Sequence, residues 1–185
     1  MAEIENQILL TESETLQDTI DCLTKYIPLS TQGAFSSSEL FQILVRAACY
    51  RDSIENTSKI LKKSPCGKNI RYHLDKINNF EDLETQLNSA LRSRKLPGIK
   101  KGKLKLAIDL NLIPYYGNPT PEEKPYIYRS QAKLGTCSFY AYASLYVLKK
   151  GKRLTLAIRG IRSQDTNVGI ITHLLASKVI KQPIL

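Results

Sequence analysis

The chain of 185 residues carries a formal net charge of +10 at pH 7, from 27 lysines and arginines against 17 aspartates and glutamates. This length is enough to bury a hydrophobic core in one large or two small domains. No apolar stretch approaches the roughly 20 residues that a membrane-spanning helix needs, and the acidic N-terminal sequence lacks the positive charge of a signal peptide. We therefore expect a cytoplasmic globular protein without a membrane partner.

The positive charge is concentrated in the second half of the sequence. Residues 1–100 contain 13 basic and 13 acidic residues, whereas residues 101–185 contain 14 basic and 4 acidic residues. A basic half of this kind favours a polyanionic partner. Nucleic acid is favoured over an anionic membrane surface, because no helix pairs a basic face with a broad apolar one. A basic surface that is simply solvated is the alternative interpretation.

The cysteines and histidines indicate neither a zinc site nor a disulfide framework. The four cysteines lie far apart without a Cys-x-x-Cys pair, and the two histidines are His73 and His173. We expect free, buried thiols. His173, on the last predicted helix, is expected to be a surface or packed histidine rather than a catalytic base.

The acidic N-terminal region and the segment after it predict two amphipathic helices. Apolar residues recur at helical spacing up to Pro28, which ends the first helix. Ser36 followed three residues later by Glu39 is a capping box, in which each side chain bonds the backbone N–H of the other residue. This box begins a second helix that runs to about Tyr50.

Three further helices are predicted in close succession. Ser53 caps a third helix, Ser64 with Pro65 begins a fourth, and a fifth covers about residues 80–91 with acidic residues in its first turn. Short helices in this arrangement are compatible with a helix-turn-helix. Basic residues also outnumber acidic ones over residues 53–77. The candidate DNA-contacting residues are Lys59, Lys62, Lys63, Lys68 and Arg71. A helical bundle with a solvated lysine face fits the same pattern.

A basic segment without acidic residues follows the fifth helix and is broken by Pro97-Gly98. We interpret it as a linker that either lies along a phosphate backbone or is solvated. Its candidate DNA-contacting residues are Arg92, Arg94, Lys95, Lys100, Lys101 and Lys103. The predicted domains are therefore a helical region at 1–98 and a second region at 99–185.

The segment after this linker predicts a β-strand that carries a single carboxylate. Asp109 lies on the side of the strand that also carries Lys105, Ala107 and Asn111, whereas alternating residues face the other side, namely Leu104, Leu106, Ile108, Leu110 and Leu112. An ionised aspartate facing an apolar interior costs on the order of several kcal/mol unless a metal, a cation or hydrogen-bond donors compensate it. On spacing alone, a structural aspartate that bonds the backbone of the following Pro-Tyr-Tyr-Gly turn is favoured over a metal ligand.

The remaining residues predict a loop, a hairpin and a final helix. Residues 117–125 are rich in proline and predict an ordered loop, and the segment after it mixes aromatic and cationic residues, as nucleic-acid surfaces and core edges both do. Its candidate DNA-contacting residues are Tyr128, Arg129 and Lys133. Strands at 138–148 and 153–158, joined by a turn, give three antiparallel strands in a row. Asp165-Thr166 caps a helix whose predicted buried face is Val168, Ile171, Leu175 and Val179.

Four motifs in this order resemble the insertion-sequence DDE transposases. They are Ala-Ile-Asp109-Leu-x-x-Ile-Pro114-Tyr-Tyr-Gly117, Tyr128-Arg-Ser-Gln-Ala-Lys-x-Gly135, Phe139-Tyr-Ala-Tyr-Ala143 and Leu154-Thr-Leu-Ala157. The resemblance covers about residues 104–175, while residues 1–98 are only loosely similar to the family's N-terminal helical DNA-binding region. It implies a catalytic domain with a ribonuclease H-like fold, in which Asp109 occupies the position of the first catalytic, metal-binding aspartate.

The chemistry that the resemblance implies for a complete family member is two-metal phosphoryl transfer, with Mg²⁺ or Mn²⁺ held by three carboxylates. A second carboxylate is expected on a strand after the helix that begins near Asp165, and a third on a later helix, but the sequence ends at Leu185 with neither. Glu122 and Glu123, in the proline-containing loop, are poor substitutes. We therefore expect an N-terminal portion of a transposase that binds no metal tightly by itself, and whether it is an enzyme stays open.

The sequence thus predicts an α+β chain, with a helical N-terminal region and an incomplete ribonuclease H-like domain of three antiparallel strands and one helix. The expected activity is DNA binding in transposition, at the transposon ends and hence in association with the nucleoid. Further expected partners are the C-terminal remainder of the transposase or a second copy of the chain. Two alternatives are a non-catalytic basic nucleic-acid-binding protein and an interaction module whose open sheet edge pairs with a partner chain.

Overall fold

The structure, a computed structural model, describes residues 11–33, 35–61, 63–77, 79–93, 104–149 and 152–176 of the chain. These ranges form six α-helices and a four-stranded antiparallel sheet, which confirms the predicted α+β class. The chain divides into two compact units, the first at residues 1–79 and the second at 80–185. The division lies before the predicted boundary at residue 98, because the fifth helix packs against the sheet.

The first unit consists of four helices, which are α1 (Glu12–Tyr26), α2 (Ser37–Tyr50), α3 (Ile54–Ile60) and α4 (Gly67–Leu74). The predicted capping box is present at the start of α2, where Ser36 Oγ accepts from the Glu39 N–H and the Glu39 carboxylate accepts from the Ser36 N–H. Thr11 and Glu14 form a second capping box at α1. Backbone and side-chain hydrogen bonds to the carboxylates hold the pKa of Glu14 and of Glu39 below the ordinary value.

The core of the first unit is centred on α2. Leu40 and Ile43 lie one helical turn apart and are buried with Ile70 of α4. Partly buried residues around them are Ile54, Leu61 and Leu74. Ile60 of α3 is exposed, and α4 ends at Leu74.

Gly67 sets the distance between α3 and α4. A methyl group at this position would collide with the carboxylate of Glu55 and lie 3.1 Å from the Glu55 Cα atom, which belongs to the backbone of α3. The absence of a side chain therefore lets the first turn of α4 pass close to α3. This contact turns the chain back so that Ile70 reaches the core.

The second unit is built around one long strand. Its elements are α5 (Phe80–Ser93), β1 (Lys105–Pro114), β2 (Ile127–Lys133), β3 (Thr136–Lys149), β4 (Lys152–Ile161) and α6 (Asn167–Ala176). The strand β3 is central, since β1 pairs along one of its sides while β2 and β4 pair with successive parts of the other. The three predicted antiparallel strands are thus present, and β2 is a fourth strand that the sequence did not predict.

The sheet has one apolar face, defined by the side chains of β1, β3 and β4 that pack against α6. Buried residues of this face and of α6 form one cluster, with Leu106 and Leu112 of β1 packed at its margin: Ala141, Ala143, Leu145, Val147, Leu156, Ala157, Ile161, Ile170 and Leu174. The other side of the sheet is called here the polar face, and Asp109 lies on it opposite Ser144. The predicted alternation of β1 is confirmed.

The helix α6 buries a different face from the predicted one. Ile170 and Leu174 are buried against the sheet, whereas Val168, Ile171 and Leu175 are exposed, and Val179 lies outside the described residues. The prediction was wrong because apolar residues surround most of this helix, so that spacing alone does not select a face. None of the described helices has the length and apolar character to cross a bilayer.

The cap of α6 is Thr166 rather than Asp165. Thr166 Oγ1 accepts a hydrogen bond from the Gly169 N–H, as an N-cap residue does. Asp165 instead accepts from the backbone N–H of Arg162 and from the guanidinium of Arg159, which also forms a largely buried ion pair with it. Asp165 therefore ties the end of β4 to the start of α6.

The helix α5 closes the outer edge of β4. The side-chain amide of Asn88 accepts from the Ile158 N–H at 2.8 Å and donates to the Ile158 carbonyl at 2.9 Å, as a neighbouring strand would. Glu84 accepts from the Gly160 N–H at 2.8 Å. These bonds satisfy backbone groups that an edge strand would otherwise leave unpaired.

The cysteine side chains are more accessible than expected. Cys49, Cys66 and Cys137 are exposed and Cys22 is partly buried, so the prediction of buried thiols was wrong. Cys49 is not among the buried residues of α2, Cys66 precedes the first residue of α4, and Cys137 is the second residue of β3, before the buried positions of that strand.

Replacing Asn88 by alanine is expected to destabilise the second unit by about 2–4 kcal/mol, because two hydrogen bonds are lost and the N–H and carbonyl of Ile158 lose their partners. Denaturant unfolding followed by circular dichroism measures this loss. The matched control is Thr85→Ala on the exposed side of α5, for which we expect a change within about 0.5 kcal/mol. A loss below about 1 kcal/mol for Asn88→Ala would show that α5 does not close the sheet edge.

Candidate functional site

Asp109 lies in the middle of β1 with its side chain exposed on the polar face. It makes no hydrogen bond or ion pair with any residue in the described ranges. The backbone position of Asp109 is nevertheless fixed, because β1 pairs with β3 without a bulge from Lys105 to Pro114. Asp109 is therefore an accessible anionic group on a rigid strand, available to a cation.

The polar face around Asp109 combines aromatic, amide and cationic side chains. Asn111 donates from Nδ2 to Ser144 Oγ at 3.4 Å, next to Asp109 in the register of β1 and β3. The guanidinium of Arg153 lies 5.3 Å from the ring centre of Tyr146, which is a cation–π contact. Tyr142 is exposed opposite Asn111. This surface offers hydrogen-bond donors, stacking surface and positive charge to a ligand.

These polar-face residues of β3 and β4 were not among the predicted site residues. Their signal in the sequence is the period-two alternation of β3, in which tyrosine or serine at 140, 142, 144 and 146 alternates with alanine and leucine. The alternation predicts a common face for these side chains. It does not show that they lie beside Asp109, which follows from the pairing of β3 with β1.

Of the other three carboxylates in residues 101–185, two are engaged elsewhere and the third, Glu122, is exposed. Asp165 is paired with Arg159, and Glu123 is hydrogen-bonded to two tyrosines. Within the described ranges, no three histidine, cysteine, aspartate or glutamate residues come together in an arrangement for a metal ion. A divalent ion at Asp109 would therefore have one protein carboxylate there, which is fewer than a two-metal site uses. The described residues alone do not fit a two-metal centre, so no metal-dependent step is assigned to them.

The Pro-Tyr-Tyr-Gly turn is held without the carboxylate of Asp109. The Tyr115 N–H donates to the Ser138 carbonyl at 2.9 Å, and the Thr136 hydroxyl donates to the Tyr115 carbonyl at 2.8 Å. The hydroxyl of Tyr116 donates to the carbonyl of Leu134. The interpretation of Asp109 as the structural partner of this turn is therefore wrong.

Glu123 organises the loop between β1 and β2. Its carboxylate accepts from the hydroxyls of Tyr115 and Tyr140, at 3.2 Å each, and from the Thr120 N–H at 2.9 Å. The backbone hydrogen bond from Thr120 is the main cause that holds the pKa of Glu123 below its ordinary value. Partial desolvation and the neighbouring negative charge raise the pKa of both tyrosines. This group is a structural anchor of the loop rather than a free carboxylate.

Two of the basic residues predicted in the first unit lie beside a glutamate. Lys59 and Arg71 are exposed, with their charged nitrogens 4.0 Å and 3.7 Å from the Glu55 carboxylate. Lys63 and Lys68 are also exposed, and Lys62 lies outside the described residues. Because Glu55 offsets part of this charge, the positive patch is weaker than the count of lysines and arginines suggests.

The DNA-contacting residues predicted in the second unit differ in their exposure. Arg129 and Lys133 are exposed on β2, whereas Tyr128 packs against the apolar cluster. Tyr128 therefore lies at the edge of the core, which the sequence left open as the alternative to a nucleic-acid surface. Arg92 is exposed on α5 and donates from Nε to the Asn88 carbonyl. The other predicted residues lie outside the described ranges, namely Arg94, Lys95, Lys100, Lys101 and Lys103.

Comparisons with known proteins assign no family to this chain. No protein-family model matches it, and neither a curated protein nor a solved structure does.

Tyr115 and Tyr140 are expected to ionise above the ordinary tyrosine pKa of 10.0, because desolvation and the Glu123 charge both disfavour tyrosinate. Their contribution to stability is thus complete below pH 10 and is lost as the pH rises through the raised pKa values. Titration of tyrosinate absorbance measures this late ionisation. In Glu123→Gln the pKa values should fall towards 10.0, since the negative charge is removed.

The matched control for this titration is Glu122→Gln, which removes the same charge from the neighbouring, exposed residue. We expect it to leave the late tyrosine ionisation unchanged. Equal shifts in the two variants would show that net charge, rather than contact with Glu123, raises the tyrosine pKa values.

Proposed function

We propose that this chain acts in DNA transposition as the DNA-binding portion of a DDE-type transposase, with Asp109 as one carboxylate of the catalytic site. The observation that supports this most is the position of Asp109. It is an exposed carboxylate at the middle of the first strand of the sheet, without a hydrogen bond or ion pair to any residue that the structure describes. The antiparallel strands β3 and β4 and the helix α6 follow along the chain, as the resemblance to the family leads one to expect.

The electrostatics of Asp109 are compatible with a role in binding a metal ion. An exposed carboxylate keeps its hydration, so holding its charge on the polar face costs little folding energy. No cation within the described ranges neutralises it. Its charge is therefore available to an added ion or to a partner that carries one. Completion of a two-metal site requires further carboxylates from outside the described residues.

Support for DNA as the partner comes from charge in the second unit. Arg129 and Lys133 are exposed on β2, Lys105 is exposed on β1 and Arg153 is exposed on β4. Few carboxylates offset them, because residues 101–185 contain 14 basic and 4 acidic residues. Lysine and arginine neutralise phosphates and release bound counterions, which makes such binding strongly dependent on salt.

A second candidate function is non-catalytic nucleic-acid binding by the same basic surface. It is favoured by one specific observation, which is that the described residues bring no second carboxylate to Asp109. The two candidates predict the same DNA affinity but differ at Asp109. In a complex that supplies the further carboxylates, substitution of this residue should affect metal-dependent chemistry in the first case and nothing in the second.

The chain is expected to bind duplex DNA with an affinity that falls steeply as salt rises. Neutralisation of three to six phosphates corresponds to a slope of about −3 to −5 in a plot of log association constant against log salt concentration. Fluorescence anisotropy with a labelled duplex at several salt concentrations measures this slope. Absence of binding at low salt, or binding that salt does not weaken, would remove the nucleic-acid proposal.

A charge reversal on β2 locates the binding surface. Arg129→Glu should weaken binding about tenfold or more and make the slope shallower by about one, as expected for loss of one phosphate contact. The matched control is Lys25→Glu, an equal change of charge on the exposed, acidic helix α1. Equal weakening by the two variants would show that the overall charge, not the surface at β2, determines affinity.

The 185-residue chain alone is expected to leave supercoiled plasmid DNA intact in Mg²⁺ or Mn²⁺, because one carboxylate does not hold the two ions of the transposase reaction. Gel electrophoresis of plasmid incubated with the chain and metal gives the answer. Metal-dependent nicking that disappears in Asp109→Asn would contradict this expectation. It would show that a second chain or residues outside the described ranges complete the catalytic site.

A further inference from the structure

The outer strands β4 and β1 of the sheet differ in how their backbone groups are satisfied. At β4, Asn88 and Glu84 of α5 bond the outward-facing groups of Ile158 and Gly160. At β1, the described residues provide one neighbouring strand, β3, and the opposite edge has no hydrogen-bonded partner strand. A row of backbone donors and acceptors along ten residues is thus available for pairing with another strand.

The edge of β1 also lacks two of the features that usually prevent edge-to-edge pairing, namely a bulge and an internal proline. Its register with β3 is continuous from Lys105 to Pro114, so no bulge twists the edge away, and its proline is the last residue. Large apolar side chains are exposed along it, with Ile108 at 37%, Leu110 at 43% and Ile113 at 53%. A long, regular edge that exposes apolar groups favours addition of a strand.

The charges on β1 identify the strand that fits best. Lys105 and Asp109 lie on the same face, four residues apart, with Ala107 midway between them. In an antiparallel pair of two copies of β1 centred on Ala107, Lys105 of each copy lies directly opposite Asp109 of the other. Two ion pairs then form on the polar face, and Asp109 gains the cationic neighbour that it lacks within the described residues.

The same register also matches the apolar face. Leu106 lies opposite Ile108 of the second copy, and Leu104 lies opposite Leu110, so both exposed apolar residues of the central part of β1 are covered. A pair centred on Asp109 would instead place two carboxylates opposite each other, and one centred on Lys105 would place two ammonium groups opposite each other. Both alternatives are disfavoured by repulsion between like charges.

We propose that β1 is a self-association edge, through which two copies of this chain pair antiparallel about Ala107 to form one continuous eight-stranded sheet. The axis relating the copies is perpendicular to the sheet, so both α6 helices lie on the same side of it. This inference does not depend on the proposed role in transposition. It is tested without DNA and in the presence of a chelator, so that binding of metal at Asp109 does not compete.

Charge exchange provides the decisive test. Sedimentation equilibrium of the full chain should show a dimer for the wild type. Lys105→Glu and Asp109→Lys should each raise the dimer dissociation constant about tenfold or more, since each replaces two attractive contacts by two repulsive ones. The double variant restores both ion pairs with the charges exchanged and should return to within about threefold of the wild type. Lys124→Glu, an equal charge change on an exposed residue before β2, should leave the dimer unchanged.

Three outcomes would overturn the proposal. A wild-type chain that is monomeric at every concentration shows that the edge does not associate. Single variants that leave the dimer unchanged show that it forms through another surface. A double variant that is no better than the worse single variant shows that Lys105 and Asp109 do not face each other.

Disulfide cross-linking tests the register independently of charge. In a chain whose four native cysteines are replaced by serine, Ala107→Cys should cross-link two copies, because residue 107 lies opposite itself. Ile113→Cys, on the same face of β1 and exposed, should not cross-link, because residue 113 lies far from its counterpart in this register. Cross-linking at 113 but not at 107 would contradict the pairing about Ala107.

Discussion

Hydrogen bonding of β3 on both of its sides is the interaction on which the second unit depends. Its pairing with β1 joins residues that are far apart in the chain, such as Lys105 and Leu148, whereas its pairing with β4 is that of a hairpin. Because the pairing puts alternate residues of β3 on one face, Ala143, Leu145 and Val147 form a single apolar surface under α6. The same pairing leaves the alternate tyrosines and Ser144 on the polar face beside Asp109.

The outer strands β4 and β1 of this sheet differ in whether their outward-facing backbone groups have hydrogen-bond partners among the described residues. The amide of Asn88 reproduces the donor and acceptor of a neighbouring strand at Ile158, so α5 closes the β4 edge with side chains alone. The β1 edge has no such cover from the described residues and exposes Ile108 and Leu110. The contrast indicates that the β1 edge is where this unit meets another strand.

Asp109 connects the two proposals made for this protein. On an exposed strand position its charge is compatible with a folded sheet without an internal partner, because water solvates it. A metal ion and Lys105 of a second copy both carry a positive charge that suits Asp109. The two therefore compete for the same carboxylate. A chain that associates through β1 in chelator and dissociates on addition of metal would show that both interactions occur at this residue.

The sequence by itself determined the features that a few neighbouring residues control. The capping box of Ser36 and Glu39 and the alternation of β1 around Asp109 were predicted correctly, because each depends on local hydrogen bonding or on strand geometry. Only the tertiary structure decided which face of α6 is buried, that β2 joins the sheet and that α5 belongs to the second unit. The bond between Asn88 and Ile158 spans 70 residues of chain, and the choice between Ile170 and Ile171 depends on the sheet beneath α6. Such contacts follow from which distant segments pair, and the local pattern of residues does not specify that pairing.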